Sequence, residues 1–196
     1  MSRVIDKGAV FGGYVGIGMA LVLAIAFELI IPVQTLVFVL APLMGVLIGV
    51  YANVRSERWR PRGRVFANAL YASLVTGLAI AALYIVLRLV FIYGDTGAMP
   101  DGTSLSCNTG PDCIYERYVV AGQADELAPL GITDGASLAA AAWRELLIFG
   151  GGLIVLTVAG GIVGGAIRSM SKLPSSAPLP AARPGTPPKP ANETGR

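Results

Sequence analysis

Four long apolar runs constrain this chain more than any other feature of its sequence. They cover roughly residues 8–31, 33–54, 65–93 and 143–168. Each run reaches the about 20 residues that an α-helix needs to cross a hydrocarbon core of about 30 Å. Because that core holds no water, every backbone N–H and C=O must pair within its own segment, as they do in a helix. The sequence therefore predicts an all-α integral membrane protein with four transmembrane helices.

The composition agrees with a membrane domain and limits the available chemistry. Of the 196 residues, 54% are hydrophobic and only 14% are charged, against about 25% charged in soluble domains. There is no histidine, which removes the commonest metal ligand and the usual general base near neutral pH. The chain also has no phosphate-binding glycine-rich motif and no nucleophile–histidine pair. We therefore expect no enzymatic activity, no catalytic or metal site and no cofactor.

The connections between the runs predict two helical hairpins. A few residues around Pro32 join the first two spans, and proline is tolerated there because its missing N–H lies outside a helix interior. The third and fourth spans form the second hairpin around a long outer loop, 94–142. A cleavable secretory signal is the alternative interpretation of the first run, but the length of that run favours a spanning helix.

The outer loop and the tail contain further local signals. The loop is rich in turn-forming residues, with one short helix expected around 113–120. Thr133 or Asp134 is placed to cap a helix that runs through 136–142 into the fourth span, where Trp143 marks the membrane interface. The segment 171–196 is rich in proline and has almost no apolar face to bury, so we expect a disordered tail.

The distribution of charge predicts the orientation. The N-terminus, the connection between the second and third spans, and the tail together hold twelve basic and three acidic residues. The loop from Asp95 to Asp134 holds seven acidic residues and one basic residue. Because positive segments stay in the cytoplasm, we expect a multi-pass protein of the plasma (cell) membrane with both termini cytoplasmic.

The basic connection itself offers two compatible interpretations. Its five arginines are Arg55, Arg58, Arg60, Arg62 and Arg64. They act as topology determinants under the positive-inside rule, and they are also placed to attract anionic lipid headgroups. The connection is short and held at the membrane, so the sequence does not predict nucleic-acid binding.

The two cysteines predict a disulfide bond. Cys107 and Cys113 both lie in the outer loop, and the chain has no others. Paired cysteines in one outer loop are typical of an oxidising compartment. The turn at Gly110-Pro111 is suited to bringing their Cα atoms within about 7 Å, as a disulfide requires.

Small residues recur at helical spacing in every span. Such stripes let helix backbones approach closely, which matters because lipid provides no hydrophobic drive for helix association. We therefore predict that these glycines pack helices together, although a pore lined by exposed backbone is the functional alternative. The glycines are Gly8, Gly12, Gly16, Gly45, Gly49, Gly77, Gly160, Gly161, Gly164 and Gly165.

Two ionisable residues fall within the spans, Glu28 in the first and Arg88 in the third. Charges inside a bilayer are costly and often functional. Because their depths near the outer face match, we predict an ion pair between the two helices. Two alternatives remain, namely that each side chain extends separately to the interface or that Glu28 carries protons in transport.

Two hypotheses for function follow. The first is a non-enzymatic membrane protein that serves as a packing, assembly or scaffold component of a membrane complex. Its expected partners are the lipid bilayer and other membrane proteins or a second copy of the chain. The alternative is a small oligomeric transporter or channel that uses Glu28 and Arg88, with Asn68, Thr76 and Thr157 as the polar groups available along its path.

Overall fold

The computed structural model describes residues 5–26, 34–55, 61–100, 102, 104–107 and 109–171. Over these residues the protein is all-helical, and the only β-type pairing is an isolated bridge between Ala98 and Ser104. The predicted tail from residue 172 onward lies outside the described residues. The helices are α1 (Lys7–Ala24), α2 (Gln34–Val54), α3 (Arg62–Tyr93), α4 (Pro111–Val120), α5 (Ala124–Leu127), a 3₁₀ turn (Ala128–Leu130) and α6 (Gly135–Met170).

Four of these helices, α1, α2, α3 and α6, are long and apolar enough to cross a membrane. The prediction of four candidate spans in an all-helical chain is therefore confirmed. At 1.5 Å per residue, the 32 residues of α3 extend about 48 Å and the 36 residues of α6 about 54 Å. Both exceed a hydrocarbon core of about 30 Å, so these two helices must tilt or extend beyond it.

The long helices pack around a central pair. α6 packs along both α2 and α3, whereas α1 packs along α3 and, less extensively, along α2. α2 and α3 also contact each other, but α1 makes no comparable contact with α6. The helices α1 and α6 therefore lie on opposite sides of the α2–α3 pair, and each leaves a broad apolar face exposed.

An aromatic cluster fills the space where α2, α3 and α6 meet. The ring of Phe38 in α2 lies edge-on to Tyr84 in α3, with 6.2 Å between ring centroids. It makes a second edge contact with Phe149 in α6 at 5.4 Å. The edge-to-face arrangement is the favoured one for aromatic pairs. Below it, Ile80 and Leu153 are almost fully buried and continue the same core.

The contact between α2 and α6 is made at backbone level. A Cβ atom added to Gly45 would collide with the carbonyl oxygen of Thr157, and one added to Gly49 would lie 3.1 Å from the Cα of Gly161. From the other side, added Cβ atoms on Gly160 and Gly164 would collide with the carbonyl oxygens of Pro42 and Val46, respectively. Glycines on both helices therefore allow the two backbones to touch, as small-residue stripes do in membranes.

Glycines also allow close packing at the other helix interfaces of the bundle. Gly16 of α1 packs directly on the side chain of Thr76, and a Cβ on Gly12 would lie 3.1 Å from that of Ala52. A Cβ on Gly77 would lie 3.2 Å from the Cα of Ile154, and one on Gly165 would lie 3.1 Å from the Cβ of Ala69. Gly8 is also buried. All ten predicted packing glycines are thus buried at helix contacts or within the bundle.

The loop between α3 and α6, called the outer loop after its predicted side of the membrane, folds against the beginning of α6. Helix α4 packs on α6, and Gly135 directly contacts Asp112 at the start of α4. Asp134 caps α6 by accepting a hydrogen bond from the backbone N–H of Ser137 at 2.7 Å. The short helix predicted around 113–120 is present as α4, whereas α5 and the 3₁₀ turn were not predicted from the sequence.

We expect Gly45→Ala to destabilise the bundle and Gly18→Ala to leave it unchanged. The new methyl group at position 45 would meet the backbone of α6, and overpacking of this kind costs about 1–3 kcal/mol. Gly18 lies on α1 with nothing within 4 Å of its Cβ position, so alanine there should retain or slightly raise stability. Thermal unfolding of both variants in the same detergent measures the difference. Equal losses in the two variants would show that the α2–α6 contact is not tightly packed.

Candidate functional site

The buried serine and threonine hydroxyl groups of α3 and α6, those of Ser73, Thr76 and Thr157, are satisfied by their own helices. Thr76 Oγ1 donates to the carbonyl of Ala72 at 2.8 Å, and Thr157 Oγ1 donates to that of Leu153 at 2.7 Å. Both threonines and Ser73 are fully buried. Since each threonine donates its proton to a backbone carbonyl four residues earlier, these side chains act as small packing groups that do not expose a donor to a path through the membrane.

A buried polar contact joins the start of α1 to α3. The side-chain nitrogen of Asn68 donates to Asp6 Oδ2 at 2.6 Å, and the backbone N–H of Asp6 donates to Asn68 Oδ1 at 3.2 Å. Asn68 is fully buried. Hydrogen bonds to a charged partner are worth about 1.5–3 kcal/mol, so this pair fixes the depth at which α1 meets α3.

A second amide connects α2 to the beginning of α3. Asn53 is 6% exposed, and its side-chain nitrogen donates to the carbonyls of Gly49 at 2.9 Å and Val65 at 3.0 Å. Its Oδ1 atom is buried and accepts no hydrogen bond. Because the nitrogen bridges two carbonyl groups, the orientation of the amide is determined by its surroundings. Asn53 therefore positions α3 relative to the end of α2.

The arginines of the predicted cluster lie in different environments. Arg55 lies over the ring of Phe11, with its guanidinium carbon 5.5 Å from the ring centroid, a distance at which a cation and an aromatic face attract each other. Arg62 is exposed at the beginning of α3, and Arg64 is partly buried one half-turn further on. Arg58 and Arg60 lie outside the described residues.

The proposed intramembrane ion pair falls partly outside the described residues. Arg88 lies in α3, where its guanidinium carbon is 5.6 Å from the ring centroid of Tyr84, one turn earlier. Tyr84 is largely buried against the core of the bundle. Glu28 is not among the described residues, so its pairing with Arg88 stays a prediction.

The two cysteines of the outer loop lie at disulfide-bonding distance. Cys113, in the first turn of α4, is fully buried, and its Cα lies 5.1 Å from that of Cys107. Gly97, with a φ angle of +72°, lies against both sulfur atoms, where a Cβ would come too close to them. This arrangement fits the predicted disulfide and explains why the loop has glycine at position 97.

Two further interactions shape the loop. Arg117 of α4 donates to Asp95 at 2.9 Å, which ties α4 to the segment that follows α3. Asp95 is also bonded to the backbone N–H of Gly97 at 2.8 Å. At the start of α6, the backbone N–H and then the hydroxyl of Ser137 lower the pKa of Asp134, so the cap is strongest when this carboxylate is ionised.

An aromatic pair marks the level at which α3 ends. The indole N–H of Trp143 donates to the hydroxyl of Tyr93 at 3.1 Å. Tryptophan and tyrosine are enriched at membrane interfaces because their rings are apolar and their polar atoms need partners. The eight residues 135–142 therefore extend α6 about 12 Å beyond this level, where α4 packs against them.

Sequence reasoning missed the pairs Asp6–Asn68 and Asp95–Arg117. Asparagine inside an apolar run is a signal for a hydrogen bond between helices, but the sequence analysis considered Asn68 only as a polar group along a transport path. No cluster of three or more potential metal ligands occurs among the described residues. The interactions described above, from Asp6–Asn68 to Asp95–Arg117, hold helices and the loop in place.

Comparison with protein family models, curated proteins and solved structures finds no match to this chain.

Proposed function

We propose that this chain is a non-enzymatic, multi-pass protein of the cell membrane that serves as a packing or scaffold component of a membrane complex. In this role its four spans are arranged as two hairpins, α1 with α2 and α3 with α6. The lipid bilayer and the transmembrane helices of other membrane proteins are its partners. No catalytic residue and no cofactor take part.

The main support for this proposal is the way in which the threonine hydroxyl groups inside the bundle are hydrogen-bonded. Thr76 and Thr157 bond to their own helices, and the glycines around them close the space between backbones. A transport path needs polar atoms or water along the bundle axis at mid-membrane. The packing of the described interior therefore supports a structural role over the transporter alternative.

An open apolar groove on the lipid-facing side of α1 and α2 supports association with a partner helix. The groove has a volume of about 610 Å³ and is almost wholly apolar. Gly18 lies within it, with nothing in contact at its Cβ position, so a helix from another protein is able to approach the backbone of α1 closely. Met19 and Met44 line the groove, and methionine side chains adapt readily to a partner surface.

Partner recovery provides the test of this role. We expect the chain, purified from native membranes in mild detergent, to carry a stoichiometric membrane protein. Gly18→Leu should reduce recovery of that protein at least tenfold because leucine would fill the groove. Thermal unfolding should be unchanged in Gly18→Leu, since position 18 faces open space.

Gly63→Leu is the matched control, because Gly63 is equally open but lies at the start of α3, away from the groove. This variant should retain the partner. A wild-type chain that purifies alone, or a partner lost equally from both variants, would contradict the scaffold proposal.

The proposed orientation places both termini in the cytoplasm. The support for it is the concentration of basic residues at the ends of α2, α3 and α6 that lie away from the Tyr93–Trp143 pair. The outer loop has the opposite charge and a cysteine pair suited to an oxidising compartment.

Thiol labelling of intact cells tests the orientation. A membrane-impermeant reagent should label Ser104→Cys, which is exposed in the loop, and should not label Ser175→Cys in the tail. Both positions should label after the cells are opened. The reverse pattern in intact cells would contradict the orientation.

A further inference from the structure

The first turn of α3 and the last turn of α6 form a polar cleft at one end of the bundle. Arg62, Ser169, Met170 and Ser171 line this α3/α6 cleft, which has a volume of about 570 Å³. The two helices are held together one turn further into the bundle, where a Cβ on Gly165 would lie 3.4 Å from the ring of Phe66. The position of the cleft is therefore determined by the helix packing.

The arginine that lines this cleft has no carboxylate partner among the described residues. Arg62, which lines the cleft, forms no ion pair with another described residue, and neither does Arg168, one residue before Ser169 in the last turn of α6. Other arginines of the chain are engaged, since Arg55 lies over Phe11 and Arg117 bonds to Asp95. No described residue therefore neutralises the positive charge of Arg62 at the α3/α6 cleft.

The hydroxyl groups of the cleft indicate which atoms are left to bind a ligand. Ser169 Oγ donates to the carbonyl of Ala166 at 2.8 Å, and Ser171 Oγ donates to that of Ile167 at 2.9 Å. Because both hydroxyl protons are used within α6, the side-chain donors left among the described lining residues are those of the Arg62 guanidinium. A guanidinium presents paired N–H groups that match two oxygens of a phosphate.

We propose that the α3/α6 cleft binds the phosphate group of an anionic phospholipid headgroup. The cleft lies at the ends of two spanning helices, and Phe66 and Met170 beside it are 37% and 72% exposed, which provides apolar surface for the first part of an acyl chain. Basic pockets between transmembrane helices on the cytoplasmic side bind anionic headgroups in this way. The choice of the inner leaflet depends on the proposed orientation, but the binding chemistry does not.

Lipid titration of the full chain in mild detergent tests the site. Native mass spectrometry counts the phosphatidylglycerol bound at each concentration, with phosphatidylcholine as the lipid without net charge. We expect phosphatidylglycerol to bind more tightly, and Arg62→Gln to weaken it about fivefold, the value of one arginine near an anionic headgroup. Phosphatidylcholine binding should stay unchanged in Arg62→Gln.

Arg144→Gln is the matched control, because Arg144 is an exposed arginine on the same helix at the opposite end of the bundle. It should retain wild-type affinity for phosphatidylglycerol. Equal binding of the two lipids, or equal losses in Arg62→Gln and Arg144→Gln, would overturn the proposal. Inorganic phosphate in large excess distinguishes a lipid headgroup from a free phosphate ion as the ligand. If it displaces the lipid from the wild-type chain by competing for Arg62, the cleft is a phosphate site whose ligand is a free anion.

The result is independent of the scaffold role. Arg62→Gln leaves the α1/α2 groove untouched, so the partner should still co-purify with this variant. If the cleft binds lipid, Arg62→Gln should lose lipid selectivity and retain the partner. If the groove binds the partner, Gly18→Leu should lose the partner and retain lipid selectivity.

Discussion

Helices in a bilayer gain little by burying leucine against leucine, because the lipid tails they displace are equally apolar. What holds such helices together is close packing, and in this protein the closest packing occurs where glycines bring backbones into contact. Gly45 and Gly49 of α2 face Thr157 and Gly161 of α6, while Gly16 of α1 lies against Thr76 of α3. Dispersion forces fall off steeply with distance, so the order in which the four helices pack follows from where their backbones are able to touch.

The few polar contacts in the bundle add specificity to this packing. Small-residue stripes by themselves tolerate sliding of one helix along another by a turn, since the next small residue offers a similar surface. The bond between Asp6 and Asn68 and the bridge from Asn53 to Val65 each have one register. A slip at either place would leave buried polar atoms without partners, which is costly in a low-dielectric interior. The described outer faces of the four long helices expose many large apolar side chains.

Features that depend on run length, residue type or spacing along the chain were predictable from the sequence. Features that depend on how each helix is rotated about its axis were not. Run length identified the four candidate spans, and residue type and spacing identified Cys107 and Cys113 as a pair. The sequence left Thr133 and Asp134 as alternative caps of α6, and the structure shows Asp134 in that position. An apolar run reveals the depth of each residue but not the direction it faces, so the partner of Asn68, 62 residues away, was not identified. Matched depth suggested Glu28 as the partner of Arg88, and this pairing stays a prediction because Glu28 lies outside the described residues.

The most direct test of backbone contact between α2 and α6 is solid-state NMR of the full chain in lipid bilayers. Carbon-13 labelling of glycine and a distance-dependent correlation experiment would report on the separation between the Cα of Gly49 and the carbonyl carbon of Gly161. We expect a cross-peak between them, since a Cβ on Gly49 would lie 3.2 Å from that carbonyl carbon. If this cross-peak is missing while neighbouring glycines within α6 correlate normally, the two backbones do not touch and glycine packing does not hold the bundle together.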